Sequence, residues 1–306
     1  MNAIEINGVS KSYGAVRALE EIKLSVHEAE MFGLIGPDGA GKTTLFRILT
    51  TLLNPDTGTA SVAGLDVERD YRDIRNVVGY MPGRFSLYPD LSVAENLDFF
   101  AATFGVKVQD NYELIAPIYK QIAPFAKRRA GKLSGGMKQK LALCCALIHK
   151  PVVLFLDEPT TGVDAVSRSE FWQMLAELKA KGITIFVSTP YMDEAQACDR
   201  VALIDKGRIL AVDTPSKLTA DCGENLYAVS AREMWPLMLA LRKLPQVADC
   251  YTFGEAHHVV AEDGFSSQAI AEALIRSGLH DVNISPVKGN VEDLFIKLMR
   301  NGQERQ

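Results

Sequence analysis

One short stretch near the start of the chain limits what the rest can fold into. Residues 36–43 read Gly-Pro-Asp-Gly-Ala-Gly-Lys-Thr, which fits the pattern G-x-x-x-x-G-K-[ST]. An apolar run, Met31–Ile35, precedes it, and a helical pattern through Leu45 and Ile48 follows it. A strand, a glycine loop and a helix start, in this order, are the context in which the pattern forms a phosphate-binding loop. The alternative is a chance glycine turn before a helix.

Each part of this loop has a predicted role toward a nucleoside triphosphate. Its backbone N–H groups would point at phosphate oxygens, and the helix N-terminus would add positive potential. Lys42 would reach the β- and γ-phosphates, and the hydroxyl of Thr43 would bind Mg²⁺. The predicted nucleotide contacts in this stretch are Gly36, Pro37, Asp38, Gly39, Ala40, Gly41, Lys42, Thr43 and Thr44.

Two acids follow the most apolar strand pattern in the chain. Val152–Leu156 is continuously apolar, as a strand buried on both faces should be, and Asp157 and Glu158 come directly after it. An acid at the carboxyl end of a strand beside a phosphate loop suits a magnesium site. We expect Asp157 to hold the metal and Glu158 to act as general base on the attacking water. In isolation, such a pair is a common acidic turn.

A second phosphate-binding pattern lies between these two motifs. Leu133-Ser134-Gly135-Gly136-Met137 precedes a helix that we predict over residues 138–149. A serine and two glycines at a helix start offer a hydroxyl, exposed N–H groups and a positive dipole end. Two phosphate-reading elements in one chain suggest two nucleotides shared across a symmetric or pseudo-symmetric dimer.

Tyr13 lies on a predicted turn upstream of the phosphate loop. It would stack on the adenine ring if it is functional, and it is a half-buried strand-end aromatic otherwise. Spacing alone does not separate these two interpretations.

Composition describes an ordinary globular protein. The 306 residues suggest about two domains, and 47% hydrophobic with 23% charged residues can bury a substantial core. A net charge of −5 argues against a general nucleic-acid binder. No apolar run approaches the roughly 18 residues of a membrane helix, and no signal peptide is evident, so any membrane role would need another chain. The five cysteines, at 144, 145, 198, 222 and 250, are interpreted as small buried apolar groups.

Strand and helix patterns alternate up to about residue 218. They predict an α/β domain with a largely parallel sheet, interrupted by a helical subdomain at about 84–150. In that subdomain, Ser92 and Glu95 form a capping box for a helix over 95–104, and a longer helix is predicted over 112–127. Residues 219–306 predict strand, helix, strand, strand, helix, strand, the order of a small α+β ferredoxin-like domain, and a final helix follows. His257 and His258 are expected on a surface strand there, not at a metal site.

The ordered motifs resemble the ATP-binding subunit of an ABC transporter. The stretches GPDGAGKT, LSGGM, LFLDEP and TGVD occur in that family's order within residues 1–218. The resemblance implies a P-loop ATPase whose head-to-tail dimer encloses ATP between one chain's phosphate loop and the other's LSGG. It strengthens Tyr13 as the adenine platform, and it implies that Gly162-Val163-Asp164 crosses the dimer interface. The sequences of residues 79–82 and 85–91 resemble those of the export branch of this family, whose members also carry C-terminal tails.

Two positions depart from the family pattern. The family places a Gln where this chain has Gly83 and a His where it has Pro190, and both family residues attend the γ-phosphate or the attacking water. Neither replacement offers a polar side chain. Losing one donor that acts on the transition state typically costs about 10²–10³ in rate. We therefore expect ATP binding with slow hydrolysis at this chain's own site.

The resemblance also implies partners. The second ATP-binding subunit would be either a copy of this chain or a homologue that has the Gln and the His. Integral membrane permease subunits would bind at a groove near Phe85, Leu87 and Tyr88, on the cytoplasmic face of the cell membrane. The alternative for that groove is ordinary subdomain core. Two other functions remain open, a soluble ABC ATPase of the translation or DNA-repair type and a nucleotide-sensing binding module.

Overall fold

The chain divides into two units, Met1–Pro215 and Ser216–Gln306. The computed structural model describes residues 1–84, 86–220, 225–262 and 264–303. Within these ranges, no helix is both long enough and apolar enough to span a bilayer.

Strands and helices alternate along the first unit. Its strands are β1 (Asn2–Tyr13), β2 (Val16–His27), β3 (Met31–Ile35), β4 (Thr57–Val62), β5 (Leu65–Asp66), β6 (Val78–Met81), β7 (Val153–Asp157), β8 (Thr184–Thr189), β9 (Arg200–Asp205) and β10 (Arg208–Asp213). Its α-helices are α1 (Lys42–Leu49), α2 (Tyr71–Val77), α3 (Val93–Thr103), α4 (Tyr112–Ile122), α5 (Gly135–Leu147) and α6 (Ala165–Ala180), and α7 (Pro215–Ala220) follows.

The predicted parallel sheet is confirmed. The spatial order of its strands is β10-β9-β3-β8-β7-β6, and only β10 runs antiparallel to its neighbour. Strands β3, β7 and β8 are buried along their whole length, which explains why they read as continuous apolar runs. Because these strands are parallel, their carboxyl ends lie along one edge of the sheet. The phosphate loop follows β3 at this edge, and the two acids lie at the end of β7, with Asp157 as its last residue.

A second, antiparallel sheet has the strand order β2-β1-β4-β5. The apolar pattern of residues 16–26, interrupted by charged residues, predicts a pair of strands, whereas the chain forms the single strand β2 paired along β1. Helix α2 was not predicted, because its short segment shows little helical periodicity. Both errors concern local pattern and leave the position of the phosphate loop unchanged.

Aromatic side chains hold the helix of the phosphate loop against the parallel sheet. Phe46 of α1 packs its ring 5.7 Å from that of Phe155 and 4.9 Å from that of Phe186. All three side chains are fully buried. Burying one such side chain stabilises the fold by about 1.5–3 kcal/mol. This packing therefore fixes the start of α1 relative to the strand ends of β7 and β8.

The segment between β6 and β7 is helical, as predicted. The capping box is present, and because Ser92 is the N-cap, α3 begins at Val93 rather than at residue 95. The long helix predicted over 112–127 ends at Ile122, and a 3₁₀ turn, Ala123–Phe125, follows it. Pro124 in this turn explains the break, since it has no N–H to continue the helix. The last helix of this segment, α5, begins at Gly135 and not at residue 138.

The second unit has the predicted ferredoxin-like order of elements. They are β11 (Leu226–Ser230), α8 (Met234–Leu241), β12 (Val247–Phe253), β13 (Ala256–Ala261), α9 (Ser267–Arg276), β14 (Asn283–Pro286) and the final helix α10 (Val291–Gln303). Its strands pair antiparallel in the order β12-β13-β11-β14. Helices α8 and α9 bury Leu237 and Leu274 in one cluster with Val259 of β13.

The expectation that His257 and His258 lie on a surface strand was wrong. Their exposed fractions are 3% and 6%. Successive strand residues point to opposite faces, and a helix covers each face here. The Nε2 atom of His257 lies 2.8 Å from the carbonyl oxygen of Met234 in α8. The Nδ1 atom of His258 lies 2.7 Å from Asp293 in α10. In the described ranges, no cluster of three or more His, Cys, Asp or Glu side chains could hold a metal.

Cysteines 144, 145, 198 and 250 are free and buried, as predicted. Burial raises the pKa of each of these thiols. They therefore carry no thiolate near neutral pH and act as small apolar groups. Cys222 lies outside the described residues.

The buried carboxylate of Asp293 anchors α10, which gives a prediction. It accepts hydrogen bonds from the hydroxyl of Tyr251 at 2.9 Å and from the N–H of Asn290 at 2.8 Å, besides its contact with His258. Replacing Asp293 with Ala would remove the shared acceptor of these contacts, including that of the buried His258, which costs about 2–4 kcal/mol. We expect amide hydrogen exchange in α10 to accelerate by at least about tenfold. Glu272→Ala, at an exposed position of α9, is the control, and unchanged protection of α10 in Asp293→Ala would contradict the prediction.

Candidate phosphate-binding site

The phosphate loop joins β3 to α1 in a conformation that requires glycine. Gly41, directly before α1, has a φ of +105°, and an added Cβ there would lie 2.4 Å from the carbonyl oxygen of Ala18. At Gly36, an added Cβ would lie 2.0 Å from the carbonyl oxygen of Ile204. Real Cβ atoms do not approach a carbonyl oxygen this closely, so both positions exclude every other residue. The loop is thereby held directly against the backbones of β2 and β9.

Lys42, the first residue of α1, is only 3% exposed. Its ammonium group donates hydrogen bonds to the carbonyl oxygens of Gly36 at 2.8 Å and Pro37 at 3.0 Å. It also lies 3.1 Å from the carboxylate of Glu158. A charged amine inside the loop with these partners is a ready donor for an anion that enters the loop.

Asp157 lies beside Thr43, although 114 positions separate them in the sequence. The hydroxyl of Thr43 donates to Asp157 Oδ2 at 2.8 Å, and the hydroxyl of Ser188 donates to Asp157 Oδ1 at 2.6 Å. The Asp157 side chain is 2% exposed. Burial, and secondarily the negative charge of Asp157, raise the pKa of neighbouring Tyr80 to about 12. An ordered carboxylate and a hydroxyl are therefore presented together at the strand edge.

Glu158 has an unusual backbone. Its φ is +51°, which non-glycine residues rarely adopt, and its N–H donates to both the carbonyl and the hydroxyl oxygen of Ser188, at 3.0 and 3.1 Å. Backbone strain of this kind is typical of functional residues and costs about 1–3 kcal/mol. The hydrogen bonds from the next strand hold the strained peptide, so the carboxylate faces the phosphate loop.

These residues enclose a cleft of about 500 Å³. Tyr13, the last residue of β1 rather than a turn residue, lies at its rim and is 47% exposed. The predicted site residues that line the cleft are Tyr13, Gly39, Ala40, Gly41, Lys42, Thr43, Thr44 and Glu158. Of the site residues predicted in the phosphate loop and at the end of β7, four do not line the cleft. Three of them form the first half of the phosphate loop, namely Gly36, Pro37 and Asp38. The fourth, Asp157, is hydrogen-bonded to Thr43. Sequence reasoning missed Arg17 and Lys206, which also line the cleft.

The second glycine motif lies elsewhere in the fold. Ser134 caps α5 and accepts a hydrogen bond from the Met137 N–H at 3.4 Å, and Gly135 and Gly136 form the first turn. A Cβ on Gly136 would lie 2.8 Å from the hydroxyl of Ser167 in α6, whose N-cap is Asp164. Neither Ser134 nor the two glycines line the phosphate cleft. The motif and the Asp164 loop are thus packed together, apart from the chain's own phosphate loop.

Gly83 and Pro190, the two positions at which the resemblance implies polar side chains, both lie close to predicted site residues. A Cβ added to Gly83 would lie 3.0 Å from the carbonyl oxygen of Asp157 and 3.8 Å from Cβ of Glu158. Pro190 follows Thr189, whose carbonyl oxygen accepts the Gly36 N–H at 3.3 Å and whose hydroxyl donates to the buried Glu194. Position 83 is therefore beside Asp157 and Glu158. Position 190 directly follows Thr189, which contacts the phosphate loop.

Ser188 was also missed as a site residue. The signal that identified the acids applies to it equally, because it is a polar residue near the carboxyl end of a continuously apolar strand. Glu194 gave no such signal, since its position depends on the path of the chain after β8.

Comparison with known proteins decides the family. Residues 19–161 match the family described as ABC transporter. The chain is 40% identical over 311 residues to Nod factor export ATP-binding protein I of Burkholderia lata, and the match covers 99% of this chain and 98% of that protein. The chain belongs to the ABC transporter family of ATP-binding proteins.

Two further similarities describe this ABC protein. It is 39% identical over 302 residues to "Probable multidrug ABC transporter ATP-binding protein YbhF" of Escherichia coli K12, and this match covers 97% of the chain. The chain spans only about half, 52%, of that relative's length. A solved structure titled "Structure of ATP binding subunit of ABC transporter" superposes with a TM-score of 0.65 at 27% identity, covering 72% of this chain and 92% of the other.

The glycine contacts predict different costs for two neighbouring substitutions. Gly39→Ala introduces a side chain at a φ of +80° but meets nothing within 4 Å, so it should destabilise the first unit by about 1 kcal/mol. Gly41→Ala adds the clash with Ala18 to similar strain and should cost about 3 kcal/mol or more. Urea unfolding of the two variants measures the difference, and equal losses would contradict the close approach at Gly41.

Proposed function

We propose that this chain is the ATP-binding subunit of an exporting ABC transporter, in which ATP binding and slow hydrolysis at its own site drive export through separate membrane subunits. The observation that carries the proposal is the cleft of the phosphate loop, with Lys42 at its base and Tyr13 at its rim. The names of the relatives, which concern multidrug transport and Nod factor export, favour export. They concern different cargoes, so the cargo stays outside the proposal.

The cleft fits ATP in charge and shape. Loop N–H groups, the start of α1 and the ammonium of Lys42 would hold the phosphates. Lys42 now shares its charge with Glu158 at 3.1 Å. A phosphate that takes over Lys42 would release Glu158 to face the attacking water. The half-exposed ring of Tyr13 would stack on the adenine.

Thr43 and Asp157 fit a Mg²⁺ site. Their two oxygens are 2.8 Å apart, and neighbouring ligands of octahedral Mg²⁺ at about 2.0–2.1 Å are separated by about 2.9 Å. Thr43 would bind the metal directly, and Asp157 would bind it directly or through water. The bound ion would neutralise charge on the β- and γ-phosphates. The hydroxyl of Ser188 would keep the carboxylate of Asp157 oriented.

Glu158 would act as the general base, since its carboxylate faces the loop and its backbone is held in a strained conformation. Position 83 is where a side chain could reach both this acid and the metal site, and Gly83 supplies none. Pro190 likewise supplies no donor next to Thr189. The site therefore retains its base and its phosphate loop but lacks two polar groups for the transition state, which favours slow hydrolysis.

The separation of Ser134, Gly135 and Gly136 from the cleft favours a shared site. In a head-to-tail dimer, this motif would complete the cleft of the second subunit, and the second subunit's motif would complete this one. A homodimer would contain two slow sites. A partner that has the Gln and the His would form one fast site with this chain's intact motif.

An apolar groove of about 520 Å³ would receive a membrane subunit on the cytoplasmic face of the membrane. Its apolar lining includes Leu52, Leu87, Phe100 and Phe104. The predicted groove residue Leu87 lines it, whereas Tyr88 packs on the ring of Phe99 at 4.6 Å and does not. Phe85 lies outside the described residues. An amphipathic helix of the membrane subunit is the segment that such a groove fits.

Hydrolysis measurements test the proposed ATPase. We expect the purified chain to bind ATP and to turn over slowly. Glu158→Gln should remove the remaining turnover without abolishing ATP binding. The double variant Gly83→Gln, Pro190→His should raise turnover by about 10²-fold, although the side chain added at position 83 must displace the Asp157 peptide by a few tenths of an ångström.

Glu177→Gln removes an exposed acid of α6 and is the control for Glu158. If the wild-type chain alone hydrolyses ATP at about 10 s⁻¹, the median for enzymes, and the double variant is no faster, the slow-site proposal is wrong. Absence of ATP binding would reject the ATPase itself.

A charge in the groove tests the membrane partner. Leu52 is 58% exposed and lines the groove, so Leu52→Glu should reduce co-purification with membrane subunits by at least about tenfold. Val152→Glu, at a 50% exposed position outside the groove, is the control. ATP binding should be unchanged in both. Equal recovery of membrane subunits with the two variants would contradict docking at this groove.

A further inference from the structure

The turn between β9 and β10 contains a lysine in an unfavourable place. Asp205 pairs with Arg208, so Lys206 and Gly207 are the two central residues of a tight hairpin. Their φ values are +47° and +76°. Turns with two positive φ values strongly prefer Asn, Asp or Gly at the first position. A lysine here has a conformational cost that the hairpin itself does not require, and such costs are typical of functional positions.

This turn is attached to the phosphate loop. The N–H of Gly207 donates to the carbonyl oxygen of Ala40 at 3.0 Å, and the carbonyl oxygen of Gly207 accepts the N–H of Glu20 at 2.8 Å. A Cβ added to Gly207 would lie 2.6 Å from the carbonyl oxygen of Ala18. Backbone contacts on both sides therefore fix the position from which the Lys206 side chain starts.

Lys206 lines the same cleft as Lys42 and Arg17. Lys42 is 3.1 Å from Glu158, and Arg17 is 3.1 Å from Glu20. Within the described ranges, no acidic side chain forms an ion pair with Lys206. Its ammonium is thus exposed in the cleft without a charge partner from this part of the chain.

The charges of the cleft suit a polyphosphate. Its lining contains the cations Arg17, Lys42 and Lys206 against the single acid Glu158. A concave surface with one predominant sign concentrates ions of the opposite sign. A ligand that carries several negative charges would pair with more than one of these cations.

We propose that Lys206 is a nucleotide-binding residue whose ammonium pairs with phosphate oxygens on the nucleoside side of the bound nucleotide. The assignment rests on the proposed function. The turn of Lys206 contacts Ala40 of the phosphate loop and Ala18 and Glu20 of β2. Strand β2 begins at Val16, which pairs with Tyr13 at the rim of the cleft. Among the described residues, no hydrogen bond or ion pair joins this turn to the metal end of the cleft, which Thr43 marks. Lys206 would therefore serve phosphates that ATP and ADP share, while Lys42 serves the terminal ones.

Lys206→Asn is the informative variant, because Asn suits the turn better than Lys and removes the long cationic side chain without straining the backbone. We expect the dissociation constants for ATP and for ADP to rise by similar factors, about three- to tenfold at low salt, and the difference from wild type to shrink as salt is added. Thermal stability without nucleotide should be unchanged or higher. Lys206→Arg should keep most of the affinity.

Lys181→Asn is the matched control, since Lys181 is also an exposed lysine before a turn glycine but lies outside the cleft. Isothermal titration of the full chain with ATP and ADP compares all four proteins. Wild-type affinity in Lys206→Asn, or an equal loss in Lys181→Asn, would overturn the assignment. A loss confined to ATP would also overturn it, because the residue would then serve the terminal phosphate. If the wild-type chain binds neither nucleotide, the proposed function itself fails.

Discussion

The site depends on backbone-to-backbone contacts that leave no room for a side chain. The carbonyl oxygen of Ala18 lies 2.4 Å from where a Cβ of Gly41 would be and 2.6 Å from where a Cβ of Gly207 would be. The carbonyl oxygen of Ile204 lies 2.0 Å from where a Cβ of Gly36 would be. These contacts bring β2 and the β9–β10 turn directly against the phosphate loop. A loop without side chains at these points can be buried on two sides and still present its N–H groups to the cleft.

The parallel sheet supplies the second requirement, which is that distant residues meet at one edge. Asp157 and Ser188 lie at the carboxyl ends of β7 and β8, and the phosphate loop follows the adjacent strand β3. Ser188 joins them by donating to Asp157 and by accepting the N–H of Glu158. The strained peptide of Glu158 is held by this neighbouring strand, so the proposed general base is positioned by the sheet rather than by its own loop.

Gly83 and Pro190 concern only part of this arrangement. They offer no polar side chain beside Glu158 or beside the contact of Thr189 with the loop. Neither position 83 nor position 190 takes part in the backbone contacts of the glycines, in the contacts of Lys42, or in the hydrogen bond between Thr43 and Asp157. Under the proposed function, binding and catalysis would thus be separable in this chain, because the backbone and the start of α1 would hold the phosphates, whereas the transition state would require additional side chains. The motif that would complete a second subunit's cleft is packed on α6 and is equally independent of both replacements.

The local sequence pattern was sufficient to predict most secondary-structure elements and motifs of this protein, whereas tertiary packing decided which residues are buried and which share the cleft. Motif spacing and apolar runs determined the phosphate loop, the acids after β7, the parallel sheet and the ferredoxin-like order, since each follows from neighbouring residues. His257 and His258 were misplaced because strand alternation does not show that α8 and α10 cover both faces. Lys206 was missed because its place in the cleft comes from contacts with Ala18 and Ala40, which are far from it in the sequence. The sequence alone therefore determined which chemistry the chain carries, and only the folded backbone decided which side chains share the site, because that depends on contacts between segments far apart in the chain.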